Sequence, residues 1–315
     1  MLKLFKEIEG KLVSFEEQDK IFEKIERNMW IHVSEPDVDT LTKLSKIVKI
    51  DLDVLINATD EEESAHLDLD DDYTMIVLDV PIYNDHIYET YPFFIIYNND
   101  YFVTICKKQT MFVELLLKKF KKIEPHKHVR LTLQLMYRIA SSYIVALKYL
   151  DSKRNGYEKN LKTSMNNKVL LELMDMNKSF VYFSTSLNAN KVVFSKVKRL
   201  PEYKKYESDF ELMEDVEVEN NQAIEMCNIY REILNAMIDA NASIISNNLN
   251  VVMKVLAIIT LIISIPTLIA SLFGMNVHLP FENSEFAFYV ILAISFVLAC
   301  VGGVLIYCLT SKAKK

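Results

Sequence analysis

The sequence predicts an α+β cytoplasmic domain, a small sheet flanked by helices, that continues through a very long stalk helix into a two-helix transmembrane hairpin. Segments rich in β-branched and aromatic residues occur in the first third of the chain, which is typical of strands. Only 5 glycines and 7 prolines punctuate the 315 residues, which favours long helices. Two long apolar runs, residues 255–273 and 286–309, stand near the C-terminal end and predict the hairpin.

The sheet is predicted from four short segments, with Asn98-Asn99-Asp100 as a turn between the last two. These segments are residues 29–33, 73–80, 91–97 and 101–106. Pro36 and Asp37 favour the start of a helix that runs to about Val48.

From about residue 110 helical patterns dominate, with long segments at 131–151 and 161–197 and a break at Leu200-Pro201. Between residues 209 and 273 only Pro266 interrupts the helical pattern. A helix of ~65 residues would be roughly 95 Å long, and it needs partners along its length to be stable. We therefore expect an oligomer.

The predicted segments are 1–125 (α/β domain), 126–208 (helical region), 209–250 (stalk), 251–273 (first span), 274–285 (external loop), 286–309 (second span) and 310–315 (basic tail).

The two apolar runs are long enough to cross a bilayer core of roughly 30 Å at 1.5 Å per residue. Lys254 precedes the first run and further lysines follow the second, whereas the connecting segment carries Glu282 and Glu285 and no Lys or Arg. This asymmetry predicts a cell-membrane protein with both termini in the cytoplasm and lipid as a partner. Residues 1–17 mix charges throughout, so no secretory signal is expected there.

The first span carries its polar and small residues along one helix face, because they recur every three or four positions. They are Asn250, Met253, Ala257, Thr260, Ser264, Thr267, Ser271 and Gly274. One interpretation is that the hydroxyls bond their own helix or serve as small packing residues. The unbroken stripe favours a second interpretation, a pore lining. With no charged residue on that face, a cation would keep its waters and meet oxygen ligands, which suits Mg²⁺.

Composition and the absence of known motifs exclude several kinds of partner and function. A net charge of -7 and a pI near 5.5 argue against nucleic acid as a partner. The 4 cysteines are dispersed, so neither a disulfide framework nor a zinc site is expected. No phosphate-binding loop, HExxH or nucleophile motif occurs, so enzymatic activity and an organic cofactor are not expected. The histidines in polar context, interpreted as surface residues, are His66, His86, His126 and His128.

Residues 250–256 (Asn-Val-Val-Met-Lys-Val-Leu) and 265–276 (Ile-Pro-Thr-Leu-Ile-Ala-Ser-Leu-Phe-Gly-Met-Asn) resemble the entry and exit of the first span in the CorA family of divalent-cation transporters. The Gly-Met-Asn signature stands where that family has it, at the end of the first of two terminal spans. The resemblance covers the whole plan of the chain. It implies a funnel-like homopentamer whose first spans line the pore.

By this resemblance, Asn276 from five chains would bind hydrated Mg²⁺ through its side-chain oxygen, with Gly274 and Met275 shaping the turn. Thr267, Leu256, Met253 and Asn250 match pore-facing positions of the family, and Leu256 is the one that the stripe does not include. The larger Met253 and Leu256 would constrict the inner pore.

Gating in the family depends on Mg²⁺ held by carboxylates between cytoplasmic domains, so Mg²⁺ is expected as both cargo and regulator. Asp215 matches a sensing position, with Glu211 and Glu214 beside it; the alternative is a solvated helix face. The acidic residues at 60–63 and 68–72 have two interpretations: they supply the partner carboxylate for the sensing site, or they are solvated loop residues.

Lys312, Lys314 and Lys315 resemble the family's basic collar, with lipid anchoring as the simpler interpretation. The loop at 277–283 departs from the usual pattern, and His278 within it offers a ligand for a softer cation or is merely exposed. Three functions stay open: a Mg²⁺ channel, transport of Co²⁺, Ni²⁺ or Zn²⁺ as in the ZntB branch, and a membrane-anchored sensor without flux. Met275 argues against ZntB, which tends to have Gly-Val-Asn.

Overall fold

The computed structural model describes residues 1–16, 21–110, 112–113, 116, 122–161, 167–275 and 286–312. The chain divides into two compact units, Met1–Ile238 and Asp239–Lys315. Because the boundary falls inside one continuous helix, secondary structure alone does not separate them.

The first unit is built on a seven-stranded sheet in the order β2-β1-β3-β7-β6-β5-β4. Neighbouring strands are antiparallel except for the parallel pair β3 and β7. The strands are β1 (Leu2–Ile8), β2 (Lys11–Phe15), β3 (Trp30–Ser34), β4 (His66–Leu69), β5 (Thr74–Asn84), β6 (Ile87–Tyr97) and β7 (Phe102–Cys106).

The four predicted strands are confirmed as β3, β5, β6 and β7, but two of them are longer than predicted. β5 and β6 continue to a hairpin in which Asn84 pairs with Ile87. Asp85 and His86 both have positive φ, 41° and 76°, which is the geometry of a two-residue type I′ turn. The prediction stopped early because the polar residues near this turn hide the alternation of the strands.

Strands β1, β2 and β4 were not predicted. Their sequences, LKLFKEI, KLVSF and HLDL, mix charged with apolar residues because they lie at or near the edges of the sheet. Lysine at an edge is a common device against unwanted strand pairing. Such strands lack the apolar runs on which the prediction depended.

Each face of the sheet has its own core. On one face Val77 and Phe94 pack with Leu41 and Leu44 of α1 (Val38–Val48), whose N-cap is Asp37, within the segment that predicted a helix start. The Asp37 carboxylate accepts a hydrogen bond from the Thr40 amide at 3.0 Å. A shorter helix, α2 (Leu52–Asn57), follows on the same side.

On the other face Leu78 and Phe93 pack against the long helices α3 (His128–Leu161) and α4 (Asn167–Val197). The Tyr143 hydroxyl of α3 and the Asn190 amide of α4 both donate to the Asp79 carbonyl oxygen, at 3.0 and 2.9 Å. Residues on both sides of the predicted boundary at 125 therefore share one core; the predicted division into segments stays a prediction.

The predicted long helix is confirmed as α5 (Glu207–Phe273), whose 67 residues include Pro266. At 1.5 Å per residue it is about 100 Å long. Its first turns bury Met213 and Val216 in the core of the first unit. α6 (Ala287–Lys312) follows the segment at 276–285, which lies outside the described residues.

Within the described part of the chain, α5 is the helix that is long and apolar enough to cross a membrane. Its most apolar stretch has a mean hydropathy of 2.5 and buries none of its residues. The apolar part of α6, Phe288–Val304, is shorter.

In the second unit α6 packs antiparallel against α5 through two adjacent glycines. A Cβ at Gly302 would lie 3.1 Å from Ile265 Cδ1, and one at Gly303 would lie 3.2 Å from Ile262 Cδ1. Ser295 and Ala299 extend this strip of small residues along α6 and are both buried. Small residues allow two apolar helices to approach closely where no aqueous hydrophobic effect brings them together.

Candidate ion pathway and carboxylate clusters

The polar stripe lies on the side of α5 that is opposite its contact with α6. The half-buried residues Ile262 and Ile265 mark the contact side. At about 100° per residue the stripe is centred roughly half a turn away from them. Its members are exposed, and those that border a groove with Ile263 and Leu268 are Thr260, Ser264, Thr267 and Ser271.

Three hydroxyls of the stripe donate to carbonyl oxygens one helical turn earlier. Thr260 Oγ1 donates to Leu256, Ser264 Oγ to Thr260 and Thr267 Oγ1 to Ile263, over 2.9, 2.7 and 2.8 Å. This is the local bonding expected for Ser and Thr in apolar helices. A hydroxyl has one proton, so each oxygen is left facing outward as an acceptor. The stripe is therefore a row of acceptors, and the water shell of a cation is a set of donors.

Toward the start of the apolar stretch the same side of α5 carries larger residues. Asn250, Met253 and Leu256 are all exposed, with Met253 61% and Leu256 64% accessible. They belong to a contiguous exposed apolar surface, and such a surface typically marks a contact with a membrane or another protein.

The first two residues of the signature end α5. The Gly274 amide donates to the Ala270 carbonyl at 3.0 Å and the Met275 amide to Leu272 at 3.4 Å. A Cβ at Gly274 would lie 3.2 Å from the Ala270 oxygen, a backbone atom that cannot move aside easily, so glycine fits this close approach. Asn276 and His278 lie outside the described residues.

The predicted sensing residues lie on the exposed side of α5 in the first unit. Glu211, Glu214 and Asp215 are solvent-exposed, whereas Leu212 and Val216 between and after them are buried. Spacings of three and four place the three carboxylates on neighbouring turns, where like charges repel.

Two other acidic residues near the start of α5 are already paired. Asp209 accepts from Arg130 at 2.8 Å and Glu217 pairs with Lys198 at 2.6 Å. These two carboxylates hold the first turns of α5 against α3 and the end of α4. They are therefore poorer candidates for ion sensing than the exposed carboxylates.

The two acidic loops differ in their neighbours. Glu61 pairs with Lys107 at 3.2 Å and Glu63 with His66 at 3.4 Å. Asp70, Asp71 and Asp72 lie at the turn between β4 and β5 and border a cavity. Lys312 ends α6, while Lys314 and Lys315 lie outside the described residues.

The prediction that the four histidines in polar context all lie at the surface is wrong for His128. This residue is half-buried, and burial lowers its pKa. His32, which the sequence analysis did not single out, is 3% exposed and bonds Thr104 Oγ1 at 2.9 Å and Ser34 Oγ at 3.0 Å. Burial lowers the pKa of His32 to about 3, with Lys3 and the N-terminal amine acting in the same direction.

A further cluster joins residues from distant parts of the sequence. Glu7 of β1 meets Glu124 and His126, which precede α3, and their ligand atoms all lie within 4.8 Å of one another. This cluster was not predicted from the sequence, because Glu7 lies in a strand that was not predicted. The local signal, Glu124-Pro125-His126, is too common to be informative alone.

Comparison with known proteins identifies the family of the chain. Residues 26–310 match the family described as CorA-like Mg²⁺ transporter protein. The cobalt/magnesium transport protein CorA of Methanocaldococcus jannaschii is 29% identical over 280 residues, which cover 86% of this chain and 87% of that protein.

Solved structures show the same fold. The complete CorA magnesium transporter of Methanocaldococcus jannaschii has a TM-score of 0.80 and 27% identity, over 97% of this chain and 96% of that one. The ZntB cytoplasmic domain of Vibrio parahaemolyticus has a TM-score of 0.57 at 12% identity, over 76% and 97%, which is a likeness of fold alone. With a family match over most of its length, the chain belongs to the CorA-like Mg²⁺ transporter family.

Proposed function

We propose that this CorA-like divalent-cation transporter is a Mg²⁺ channel in which the polar stripe of α5 lines the conduction path. The observation that carries the proposal is the exposed row of acceptor oxygens on the side of α5 opposite α6. Because α6 occupies the other side, further copies of the chain can meet around the stripe. Five copies, as the family resemblance implies, would enclose a pore.

A hydrated Mg²⁺ suits this lining better than a bare ion. Mg²⁺ gives up its waters reluctantly and is usually bound with several retained. The hydroxyls of Thr260, Ser264 and Thr267 are placed to accept hydrogen bonds from those waters. A carboxylate in the path would hold the ion too strongly for rapid release, and the stripe contains none.

The proposed topology has two membrane spans, α5 and α6, with both termini in the cytoplasm. The lysines before the first span and after the second support this orientation. The inside-negative potential then drives a divalent ion inward with about 4.6 kcal/mol per 100 mV. Uptake needs no other energy source, and Lys312, Lys314 and Lys315 would face anionic lipid at the inner surface.

At the outer end, Asn276 from each copy would form the selective ring. An amide oxygen accepts hydrogen bonds from the waters of the ion without replacing them. Gly274 supports this role because its lack of a side chain lets α5 end at the close approach to Ala270.

We further propose that cytoplasmic Mg²⁺ closes the channel by binding at Glu211, Glu214 and Asp215. These exposed carboxylates repel one another in the absence of a cation. An ion bound better by the closed than by the open assembly shifts the population toward the closed state. Low internal Mg²⁺ would release the closed state and restore uptake.

A second candidate cargo is Co²⁺, because the relative of Methanocaldococcus jannaschii is described as a cobalt/magnesium transport protein. Zn²⁺ is less well supported, since the likeness to ZntB is one of fold and Met275 departs from the Gly-Val-Asn of that branch. A sensor without flux would have no need of a continuous stripe of acceptors.

The test is Mg²⁺ uptake into proteoliposomes that hold the purified protein and a trapped Mg²⁺ dye under a negative-inside potential. We expect uptake by the parent, none by Asn276→Ala, and parental uptake by the matched control Asn283→Ala, provided that all three assemble equally. Co²⁺, Ni²⁺ and Zn²⁺ are tried in the same vesicles. No uptake of any ion by the parent would exclude a channel.

A further inference from the structure

The cluster of Glu7, Glu124 and His126 has the ligand types of a transition-metal site. The Nδ1 atom of His126 lies 3.5 Å from a carboxylate oxygen of Glu7, and its Nε2 atom lies 4.0 Å from one of Glu124. In a tetrahedral metal site the ligand atoms are roughly 3.4 Å apart, given metal bonds of about 2.1 Å. Only one ring nitrogen of His126 can bind a given ion, and one ligand atom from each of the three residues lies within 4.8 Å of the other two. Small side-chain rotations would bring two carboxylate oxygens and that nitrogen to a single ion.

We propose that these three residues bind a softer divalent cation, Zn²⁺, Co²⁺ or Ni²⁺, in the first unit. Imidazole nitrogen favours these ions, whereas Mg²⁺ prefers an all-oxygen shell. The site is separate from Glu211, Glu214 and Asp215, and it binds whether or not the protein conducts.

Two lysines beside the cluster set its selectivity. Lys122 and Lys127 each pair with the Glu124 carboxylate at 3.0 Å. An incoming ion must displace them or share the carboxylate with them. An ion held by charge alone gains little from that exchange, while one that also bonds the histidine nitrogen gains more.

A cavity of about 920 Å³ opens beside the cluster and gives ions a route to it. Glu124 and His126 line the cavity together with Gln134, which is only 4% exposed. Gln134 Nε2 donates to the Lys122 carbonyl oxygen at 3.1 Å, but Oε1 has no hydrogen-bond partner among the described residues. A buried acceptor without a donor is costly, and a water of the metal's shell would satisfy it.

Binding would tie the N-terminal strand to the start of α3. Glu7 belongs to β1, whereas Glu124 and His126 belong to the segment that leads into α3. An ion shared by both would restrain this end of the first unit. The protein would thereby respond to softer cations separately from Mg²⁺.

The experiment titrates Co²⁺ into tag-free full-length protein in detergent, in the presence of excess Mg²⁺, and follows visible absorption, with calorimetry for Zn²⁺. We expect one ion per chain. His126→Ala should weaken binding by more than the roughly 10- to 100-fold that loss of an outer-shell partner costs. Glu7→Gln should weaken it less, and Lys127→Met should strengthen it because a competing cation is removed.

His66→Ala is the matched control, because the Nδ1 atom of His66 also lies near a carboxylate oxygen, that of Glu63 at 3.4 Å. Among the described residues, no third ligand completes a metal-binding group around His66. It should bind Co²⁺ like the parent. Binding also raises the thermal unfolding midpoint of the parent, and this rise should disappear in His126→Ala. Unchanged affinity in His126→Ala, or no binding by the parent, would overturn the proposal, and neither result would bear on Mg²⁺ uptake.

Discussion

The two units of this chain place their apolar residues in opposite ways. In Met1–Ile238, large side chains are fully buried on the two faces of the sheet, such as Trp30 and Tyr143 on one face and Phe94 on the other. In Asp239–Lys315, Ser295 and Ala299 are buried while Leu256 and Phe296 are 64% and 70% exposed.

This difference shows where the chain covers its apolar side chains. The first unit buries its largest ones within its own fold. The second unit leaves large apolar side chains exposed, which is the surface that the proposed channel would place against lipid and further copies of the chain. The hydroxyl stripe interrupts that apolar surface on the side of α5 opposite α6.

The largest expected effect comes from filling the strip of small residues on α6. In Gly302→Leu the new side chain would occupy the space of Ile265, whose Cδ1 atom lies 3.1 Å from the Cβ position. We expect loss of assembled protein in size-exclusion chromatography and of Mg²⁺ uptake. The matched control is Gly156→Ala in α3, where nothing lies within 4 Å of the Cβ position. That change should stabilise the first unit by up to about 1 kcal/mol. Normal assembly of Gly302→Leu would refute the packing described for α6.

The next effect concerns gating. Replacing the three sensing carboxylates together (Glu211→Gln, Glu214→Gln, Asp215→Asn) removes the charges that attract Mg²⁺ in the first unit. We expect uptake to continue at internal Mg²⁺ concentrations that close the parent, measured in vesicles preloaded with increasing Mg²⁺. Inhibition identical to that of the parent would assign these residues to a merely solvated helix face.

A smaller effect is expected from one hydroxyl in the stripe. Thr267→Val keeps the shape of the side chain and removes one acceptor per chain, so uptake should fall several-fold without loss of assembly. Thr42→Val in α1 is the matched control, because its Oγ1 atom makes the same type of bond, to the Val38 carbonyl at 2.8 Å. Equal uptake by both variants would show that the stripe hydroxyls only bond their own helix.

The last prediction concerns the acid stability of the first unit rather than ion uptake. The folded state holds His32 neutral, with its pKa lowered to about 3, whereas the unfolded chain protonates it near pH 6.5. Its contribution to stability is full above pH 6.5 and is lost as the pH falls toward 3, with a slope approaching about 1.4 kcal/mol per pH unit. Trp30 lies beside His32 and is the single tryptophan of the chain, so its fluorescence reports unfolding of the first unit. His32→Gln should show a weaker acid dependence, and the control His66→Gln, at the start of β4, should show the parental one.

The long helix and the stripe were predictable because they depend on periodicity within one segment. Residues 209–273 carry few helix breakers, and the positions of Thr260, Ser264 and Thr267 follow directly from helical spacing. The strands at the sheet edges were not predictable, since β1 carries lysine and glutamate among its apolar residues.

Clusters that join residues from distant parts of the chain could not be predicted from the sequence either. Glu7 meets His126 only because β1 pairs beside β3 and brings the N-terminus to the segment before α3. The burial of His32 depends likewise on its parallel partner Thr104 in β7. No local sequence pattern predicts either contact.

The central claim is that the side of α5 opposite α6 lines the conduction path, and cysteine accessibility tests it most directly. In a background without the native cysteines, Ser264→Cys places a thiol on the stripe and Ile262→Cys places one on the side that contacts Gly303. A charged, water-soluble thiol reagent should stop Mg²⁺ uptake by the first variant and leave uptake by the second unchanged. Equal block of both, or block of Ile262→Cys alone, would contradict the account.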